Sequence, residues 1–410
     1  TPRMSIMPDS QLIDGFGRKI SYLRLSITDR CDFRCQYCMA ETMQFLPRSE
    51  VLTIEELLRV ARIFTELGVR KIRVTGGEPL VRKGAGDLFM GLGALPGLQT
   101  LAVTTNGSQL PSTAQSLKDA GVRSLNISLD SLHPARFRDI TRVGDLQVVL
   151  RGIDAAMAAG FERIRLNAVV LDGLNRDEVL SLTQFAIEKR IHIAFIEEMP
   201  LGQVTVGGKA LAYVSSETLL EELGNHYSLE PLVSDDIAGP SRDFRISGTQ
   251  TELGFISPHS HNFCNSCNRL RISAEGRLLM CLGNEESIDL RALLRSGYSD
   301  ERIKSTIIES LVLKPERHVF DRPEEPQIVR FMNATGGSVT GKTSLAAAHA
   351  TRRNNIAKDR VELPSRSALD ASGAARPRRD RCRSEATSRI YRSPLDTRRG
   401  ISVYLMLDWK

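Results

Sequence analysis

The chain has 410 residues, of which 41% are hydrophobic and 25% charged, as is typical of a globular protein rather than a disordered or fibrous one. It contains no apolar run of about eighteen residues and begins without the apolar core of a secretory signal, so we expect no membrane span and a cytoplasmic location. The net charge of +6 is uneven, because 16 of 55 Lys and Arg but only 7 of 49 Asp and Glu follow residue 337, which leaves the preceding part at −3. An argument from charge for nucleic-acid binding therefore concerns the tail alone.

Strand-like runs alternate with amphipathic segments through the first half of the chain. The runs cover residues 22–27, 71–75, 100–105, 124–129, 163–170 and 191–196. Helices are predicted most clearly over residues 53–68, where Thr53 and Glu56 match a capping box, and over residues 175–190. This α/β order predicts a parallel sheet, because each crossover needs a helix to return the chain. Both a doubly wound sheet and a barrel fit the pattern, and in both the functional loops follow the carboxyl ends of the strands.

The alternation ends near residue 197. A helix is predicted over residues 215–224, and a helical stretch lies near residues 287–313. After residue 337 the chain is rich in Arg, Ser and Ala, and we expect a basic tail of low order. Residues 336–344, "GGSVTGKTS", match a phosphate-binding loop, but only 67 residues follow Thr343 and few of them resemble core strands. We therefore expect no separate nucleotide hydrolase there.

The seven cysteines fall into two groups of three and one isolated residue. The first group has C-x₃-C-x₂-C spacing, and the order along the chain is Cys31, Cys35 and Cys38, then Cys264, Cys267 and Cys281, then Cys382. An odd count in a large chain argues against a disulfide framework and favours metal binding. Three cysteines in one loop suit an iron–sulfur cluster with one open iron, whereas a zinc site completed by Cys264 or a distant residue is the alternative.

Two arginines follow the second cysteine group. Arg269 and Arg271 alternate, so on an extended segment their side chains point to the same side, as phosphate clamps would. In the alternative interpretation they are solvated charges beside a structural zinc ribbon, in a zinc-stabilised nucleic-acid-binding protein. Tyr391 is the one aromatic residue between positions 376 and 399, so the tail offers little stacking for nucleic acid.

Several motifs carry a resemblance to a known family. The cysteine loop, with Tyr37 before its last thiol, and "TGGEP" at residues 75–79 resemble the radical S-adenosylmethionine enzymes. With "YLRLSITDRC", "VTTNGSQL", "NISLDSL", "FIEEMPLG" and the second cysteine group, the chain resembles the molybdenum cofactor biosynthesis protein A family, the GTP 3′,8-cyclases, over roughly residues 12–337. The resemblance implies a partial (β/α)₆ TIM-type barrel over residues 1–235, a second iron–sulfur region over residues 236–337 and a tail over residues 338–410.

The resemblance also implies a reaction. One [4Fe–4S] cluster on the first cysteine group would cleave S-adenosylmethionine, and the resulting radical would abstract hydrogen from C3′ of GTP, so that C3′ adds to C8. A second [4Fe–4S] cluster on the second group would hold the purine. The implied partners are cyclic pyranopterin monophosphate synthase downstream and an electron donor such as flavodoxin or ferredoxin, and a homodimer is left open. Another twin-cluster radical enzyme is the alternative within the superfamily.

Site residues follow from the motifs that match. The resemblance implies S-adenosylmethionine contacts at Tyr37, Gly77, Ser128 and Met199, and GTP contacts at Arg18, Lys71, Arg73, Thr104, Arg165, Arg269, Leu270 and Arg271. Ala194 stands where better-known members have arginine, and Arg165 where lysine is expected. Family members end in a double glycine that is thought to enter the site. Here 73 residues follow Gly336 and Gly337, so we expect the full chain to turn over GTP less well than a chain ending at Gly337.

Overall fold

The computed structural model describes residues 12–40, 42–199, 205–206, 209–210, 214–233, 235–318 and 320. Its centre is a row of parallel strands that lie side by side in chain order. They are β1 (Tyr22–Ser26), β2 (Lys71–Thr75), β3 (Thr100–Thr105), β4 (Val122–Ser128), β5 (Arg163–Val170) and β6 (His192–Glu197). All six predicted strands are confirmed, each to within two residues at either end.

Helices connect these strands and complete the expected partial barrel. They are α1 (Ile54–Glu66), α2 (Ala85–Gly93), α3 (Leu110–Asp119), α4 (Pro134–Thr141), α5 (Leu146–Ala159) and α6 (Val179–Lys189). The predicted capping box begins α1: Thr53 Oγ1 accepts from the Glu56 amide at 3.2 Å, and the Glu56 carboxylate accepts from the Thr53 amide at 2.8 Å. Helix α6 begins later than predicted because a 3₁₀ turn, Arg176–Glu178, precedes it.

The second half of the chain adds strands to both edges of the same sheet. After α7 (Ser216–Gly224), strands β9 (Leu229–Pro231), β10 (Arg242–Ile246) and β11 (Glu252–Ile256) extend it beyond β6; β7 (Thr205–Val206) and β8 (Lys209–Ala210) pair separately. Strands β12 (Arg269–Ile272), β13 (Arg277–Leu279) and β14 (Ser287–Asp289) extend it beyond β1, followed by α8 (Leu290–Arg295) and α9 (Asp300–Ser310). The helical prediction near 287–313 missed β14. The boundary at residue 235 stays a prediction.

Alternation along the central strands separates the core from the inner face of the sheet. On β1, Leu23 and Leu25 are fully buried in the apolar core that the helices cover, whereas Tyr22 and Arg24 face a cavity on the other side. Strand β2 repeats the pattern: Ile72 and Val74 lie in the core, whereas the alternate residues Lys71, Arg73 and Thr75 face the cavity. The fold therefore brings every second residue of adjacent strands to one site.

Among the described residues, none of the helices has the length and apolar character needed to span a bilayer. Residues 321–410 lie outside the described residues, and with them the "GGSVTGKTS" motif, Gly336, Gly337, Cys382 and the predicted basic tail.

Candidate active site

A cavity of about 650 Å³ lies on the inner face of the sheet. Both cysteine groups line it, although they are far apart in the chain: Cys31, Cys35, Cys38, Cys264, Cys267 and Cys281. Ten of the predicted ligand contacts also line it: Tyr37, Gly77, Ser128, Met199, Lys71, Arg73, Thr104, Arg165, Arg269 and Arg271. Two cysteine groups and a set of cations therefore share one site.

The first cysteine group lies in the loop after β1. The Cys31 sulfur accepts from the Phe33 amide at 3.3 Å and lies 3.8 Å from Asn106 Nδ2. Burial raises the pKa of all three thiols, and with the nearby Asp130 carboxylate it raises the pKa of Cys38 to about 12. Without a metal these thiols stay protonated, and metal binding would have to release their protons.

The glycine pair of "TGGEP" lies directly on the cysteine loop. A Cβ on Gly77 would stand 2.3 Å from the carbonyl oxygen of Arg30, and a Cβ on Gly76, whose φ is +155°, 2.5 Å from that of Thr28. The Gly77 amide donates to the Thr28 carbonyl at 2.8 Å. Only glycine permits this approach of two backbones, so the pair fixes the cysteine loop against the end of β2.

Glu78, which follows the glycine pair in "TGGEP", connects its own loop with the loop after β3 and the cysteine loop. Glu78 is fully buried, and its carboxylate accepts from Thr105 Oγ1 at 2.9 Å and from the Asn106 amide at 2.6 Å. Burial raises the pKa of the Glu78 carboxyl to about 7 despite these hydrogen bonds. The Asn106 side chain donates to the Asp32 carboxylate at 2.6 Å. Glu78 therefore positions the loop that follows β3 against the first cysteine group.

Tyr37 is held by a carboxylate that was absent from the predicted site. Its hydroxyl donates to Asp130 at 2.7 Å, and Asp130 also accepts from the Val169 amide at 2.9 Å. Burial raises the pKa of Asp130 to about 6, and burial together with Asp130 raises the pKa of Tyr37 well above its usual range. Ser128 at the end of β4 and Met199 after β6 line the same part of the fold's carboxyl edge.

The second cysteine group has cations beside it. The Lys314 ammonium is buried, donates to the carbonyls of Arg269 at 3.1 Å and Met280 at 2.9 Å, and lies 3.4 Å from the Cys267 sulfur. Burial would raise the pKa of Cys267, but Arg269 and Lys314 outweigh it and lower the pKa to about 6. Burial raises the pKa of Cys264. The sequence prediction missed Lys314, whose signal is a lone lysine after the apolar turn Leu311–Leu313.

Arg18 is not among the residues that line the cavity, and its GTP contact stays a prediction. Its guanidinium donates to the Asp14 carboxylate at 2.6 Å and to the carbonyls of Cys264 at 2.9 Å, Pro315 at 2.7 Å and Glu316 at 2.7 Å. These bonds use its donors to hold the loop of the second cysteine group. Leu270 is buried in the apolar core, because it alternates with the two arginines that face the cavity.

A residue that the sequence prediction missed occupies the cavity wall instead. Strand register places Arg24 opposite Arg73 on one side and Arg271 on the other. Its Nε is buried and has no hydrogen-bond partner among the described residues. The signal in the sequence was an arginine two positions from Tyr22 in an otherwise apolar central strand, which predicts a shared inner face. The wall carries two adjacent rows of side chains: Arg271, Arg24 and Arg73, then Arg269, Tyr22 and Lys71.

The opposite wall pairs its arginines with carboxylates. Arg165 donates to Asp243 at 2.7 Å, and Arg163 forms an ion pair with Glu252. Ala194, where the resemblance leads one to expect arginine, is fully buried and is absent from the lining. Arg163 lines the cavity close to Arg165, so this wall has a cation that the sequence prediction did not include.

The donor sets are compatible with iron–sulfur clusters. All six thiols are free, none of them being in a disulfide. Among the described residues, no three His, Cys, Asp or Glu side chains are arranged around a point that a single metal ion could occupy. Each group offers three thiols and hydrogen-bond donors to sulfur, which is the chemistry of a cluster with one iron left open.

Comparison with known proteins gives a consistent result. The Radical SAM superfamily pattern matches residues 25–186, and the Molybdenum Cofactor Synthesis C pattern matches residues 191–320. The chain is 52% identical over 332 residues to the GTP 3′,8-cyclase of Saccharophagus degradans, covering 81% of this chain and 100% of that protein. It is 56% identical over 328 residues to the GTP 3′,8-cyclase of Pseudomonas putida, covering 80% and 98% respectively.

Solved structures resemble the fold. The crystal structure of Streptococcus suis SuiB bound to precursor peptide SuiA matches with a TM-score of 0.54 and 17% identity, over 77% of this chain and 75% of that chain. Streptococcus suis SuiB alone matches with a TM-score of 0.52 and 18% identity, over 71% and 69%. At this level of identity the likeness concerns the fold alone.

Proposed function

The chain belongs to the GTP 3′,8-cyclase family of radical S-adenosylmethionine enzymes, which acts in molybdenum cofactor biosynthesis, and we propose that the cavity on the inner face of the sheet holds both reactants and two iron–sulfur clusters. The reaction converts GTP to (8S)-3′,8-cyclo-7,8-dihydroguanosine 5′-triphosphate. The observation that carries the proposal is the convergence of two three-thiol groups and eight lysine and arginine residues on one cavity.

The first group, Cys31, Cys35 and Cys38, would hold the cluster that supplies the electron for cleavage of S-adenosylmethionine. We assign S-adenosylmethionine contacts to Tyr37, Gly77, Ser128 and Met199, all of which line the cavity. Asp130 orients the Tyr37 hydroxyl, and Gly77 lets the β2 loop approach the cysteines. These residues would keep the cofactor beside the first cysteine group.

The second group, Cys264, Cys267 and Cys281, would hold a cluster in the same cavity, and the purine would bind beside it. Lys314 fixes the two main-chain segments that carry these cysteines, and Arg18 fixes the carbonyl of Cys264. Both act as positioning residues. Two clusters, one on each group, therefore suit the donor atoms of the chain.

The triphosphate suits the wall formed by β12, β1 and β2. Its cations are Arg24, Lys71, Arg73, Arg269 and Arg271, and Thr104 Oγ1 lies 3.5 Å from a terminal nitrogen of Arg73. Planar guanidinium groups bind phosphate oxygens through two parallel hydrogen bonds. We assign this role to Arg24 in place of Arg18. Arg165 and Arg163 add charge from the opposite wall, and Leu270 would contribute through its main chain only.

Other expectations remain predictions of the family resemblance. They are the cytoplasmic location, the synthase that consumes the product, a flavodoxin or ferredoxin as electron donor, and a homodimer.

Anaerobic metal analysis with a turnover assay tests the proposal. We expect about eight irons per chain, two clusters of four, and 5′-deoxyadenosine that forms only when GTP is present. Stoichiometric zinc without iron would support the zinc-stabilised binding protein instead. Iron-loaded protein that forms 5′-deoxyadenosine regardless of GTP would indicate another twin-cluster enzyme. The same assay on a chain ending at Gly337 measures the effect of the tail.

A further inference from the structure

The cation wall of the cavity is formed by Arg24, Lys71, Arg73, Arg269 and Arg271. Among the described residues none of these side chains forms an ion pair with a carboxylate, although Asp235 in the lining acts on Lys71. The ion pairs at this cavity lie elsewhere: Arg163 and Arg165 on β5 contact acidic residues, and Arg123 on β4 lies 3.8 Å from Glu162. On the other wall, Arg73 donates to the Val103 carbonyl at 3.3 Å and Lys71 to the Ile237 carbonyl at 3.0 Å. Burial and the neighbouring arginines lower the pKa of Arg271 well below its usual range. Like charges are therefore concentrated here in partly buried surroundings.

One ionisable group stands among these cations. Tyr22 is 3% exposed, its hydroxyl accepts from Arg73 Nε at 2.8 Å, and the Lys71 ammonium lies 5.0 Å from its ring centre. Sheet register places Tyr22 between Lys71 and Arg269. Burial would raise the pKa of the phenol, but Arg73, Arg24 and Lys71 outweigh it and lower the pKa to about 7. A tyrosinate in this position would neutralise part of the local charge.

We propose that the Tyr22 phenolate is the internal counter-ion of the empty cation wall, and that it takes up a proton when a triphosphate binds there. This inference rests on the proposed function. The groups that face Tyr22 are Arg24 on its own strand, Lys71 and Arg73 on β2, and Arg269 and Arg271 on β12; Asp235, which also lines the cavity, acts on Lys71. The proton comes from the buffer and converts phenolate to phenol, with no other bond made or broken.

The direction of the pH dependence of GTP binding follows from the charges of Tyr22, the cations and the triphosphate. In the empty site Tyr22 is ionised above about pH 7. A bound polyanion opposes the cations and returns the pKa of Tyr22 toward its ordinary value near 10, so binding takes up to one proton between these limits. GTP affinity therefore falls as the pH rises above 7, by at most about tenfold for each pH unit. Well below pH 7 the phenol is already protonated and the dependence disappears.

Titration calorimetry of the anaerobic, cluster-loaded full chain tests this. GTP is added without S-adenosylmethionine at about pH 8, where its phosphates are ionised, in buffers of different ionisation enthalpy. We expect uptake of nearly one proton by the wild type and almost none by Tyr22→Phe. The variant should bind GTP more tightly than the wild type at about pH 8 and equally at about pH 6. Loss of tyrosinate ultraviolet absorbance as GTP binds to the wild type gives the same answer without a variant.

Two controls show whether the proton uptake depends on Tyr22 and on the phosphates of GTP. Tyr298→Phe, at an exposed position of the surface, should leave proton uptake unchanged, and guanosine should bind without taking up a proton. The inference is overturned if the wild type binds GTP without proton uptake, or if Tyr22→Phe keeps the same uptake and pH slope. A chain that binds no GTP at any pH would overturn the proposed function, and this inference with it.

Discussion

In the first cysteine group the thiols lie near Asp32, Glu78 and Asp130, whereas in the second Cys267 lies beside Arg269 and Lys314. Negative surroundings make a cluster harder to reduce and a stronger reductant, and positive surroundings do the opposite. The first group is thus suited to giving an electron to S-adenosylmethionine, and the second to holding an electron-rich, anionic substrate. The same three-thiol chemistry serves two purposes because the charged neighbours differ.

Removing one thiol from each group tests this division most severely. We expect Cys35→Ala to abolish 5′-deoxyadenosine formation, because it disrupts the group beside the S-adenosylmethionine site, and Cys267→Ala to retain a low, GTP-independent yield. Each variant should lose about half of its iron, four of eight atoms. Cys382→Ala, outside both groups, is the matched control. Equal product profiles for the two variants would contradict the division.

Arg24 and Arg18 separate substrate binding from support of the second group. Arg24→Gln should weaken GTP binding about ten- to a hundredfold, since a charge-assisted hydrogen bond contributes about 1.5–3 kcal/mol. Arg18→Gln should change GTP affinity little in iron-loaded protein but lower the iron content, because it removes the donor from the carbonyls of Cys264 and Pro315. Calorimetry and iron analysis on both variants measure this. If Arg18→Gln rather than Arg24→Gln lost its affinity for GTP, Arg18 would be the phosphate contact and this assignment would be wrong.

Lys314 tests the charge difference itself. Lys314→Met removes a positive charge beside Cys267 and leaves two buried carbonyls without a donor, so we expect about 2 kcal/mol less stability and a lower reduction potential of the second cluster alone. Lys314→Arg should restore part of the potential. A redox titration followed by electron paramagnetic resonance distinguishes the clusters. Equal shifts of both potentials would indicate a general structural effect.

The smallest effect concerns thiol reactivity without metal. Since the pKa of Cys267 is about 6 and that of Cys38 about 12, Cys267 should be mostly thiolate at pH 7 and Cys38 mostly thiol. The alkylation rate of Cys267 should therefore reach a plateau above about pH 7, while that of Cys38 keeps rising. Mass spectrometry of apo-protein treated with iodoacetamide measures both. Lys314→Met should move the Cys267 midpoint upward, and parallel pH profiles for the two cysteines would refute the difference.

Much of the fold was predictable because its signals are local. Periodicity in the sequence identified the six central strands, and the Thr53 capping box marked the start of α1. The six cysteines were found by spacing. The contacts of Arg18 were not predictable, because nothing local shows that its guanidinium would bond to Asp14 and to carbonyls beyond residue 263. Lys314 was missed for the same reason, since its partners come from other segments.

Local pattern alone established the order of strands and helices, the two thiol groups and the family resemblance, because periodicity and spacing act between near neighbours. The tertiary structure decided which cations face the cavity. Arg24 joins the other cations of the cavity wall only because β12 and β2 pair on either side of β1 in one register. The charge around each cysteine group has the same origin, because electrostatic surroundings depend on distance in space and not on separation along the chain.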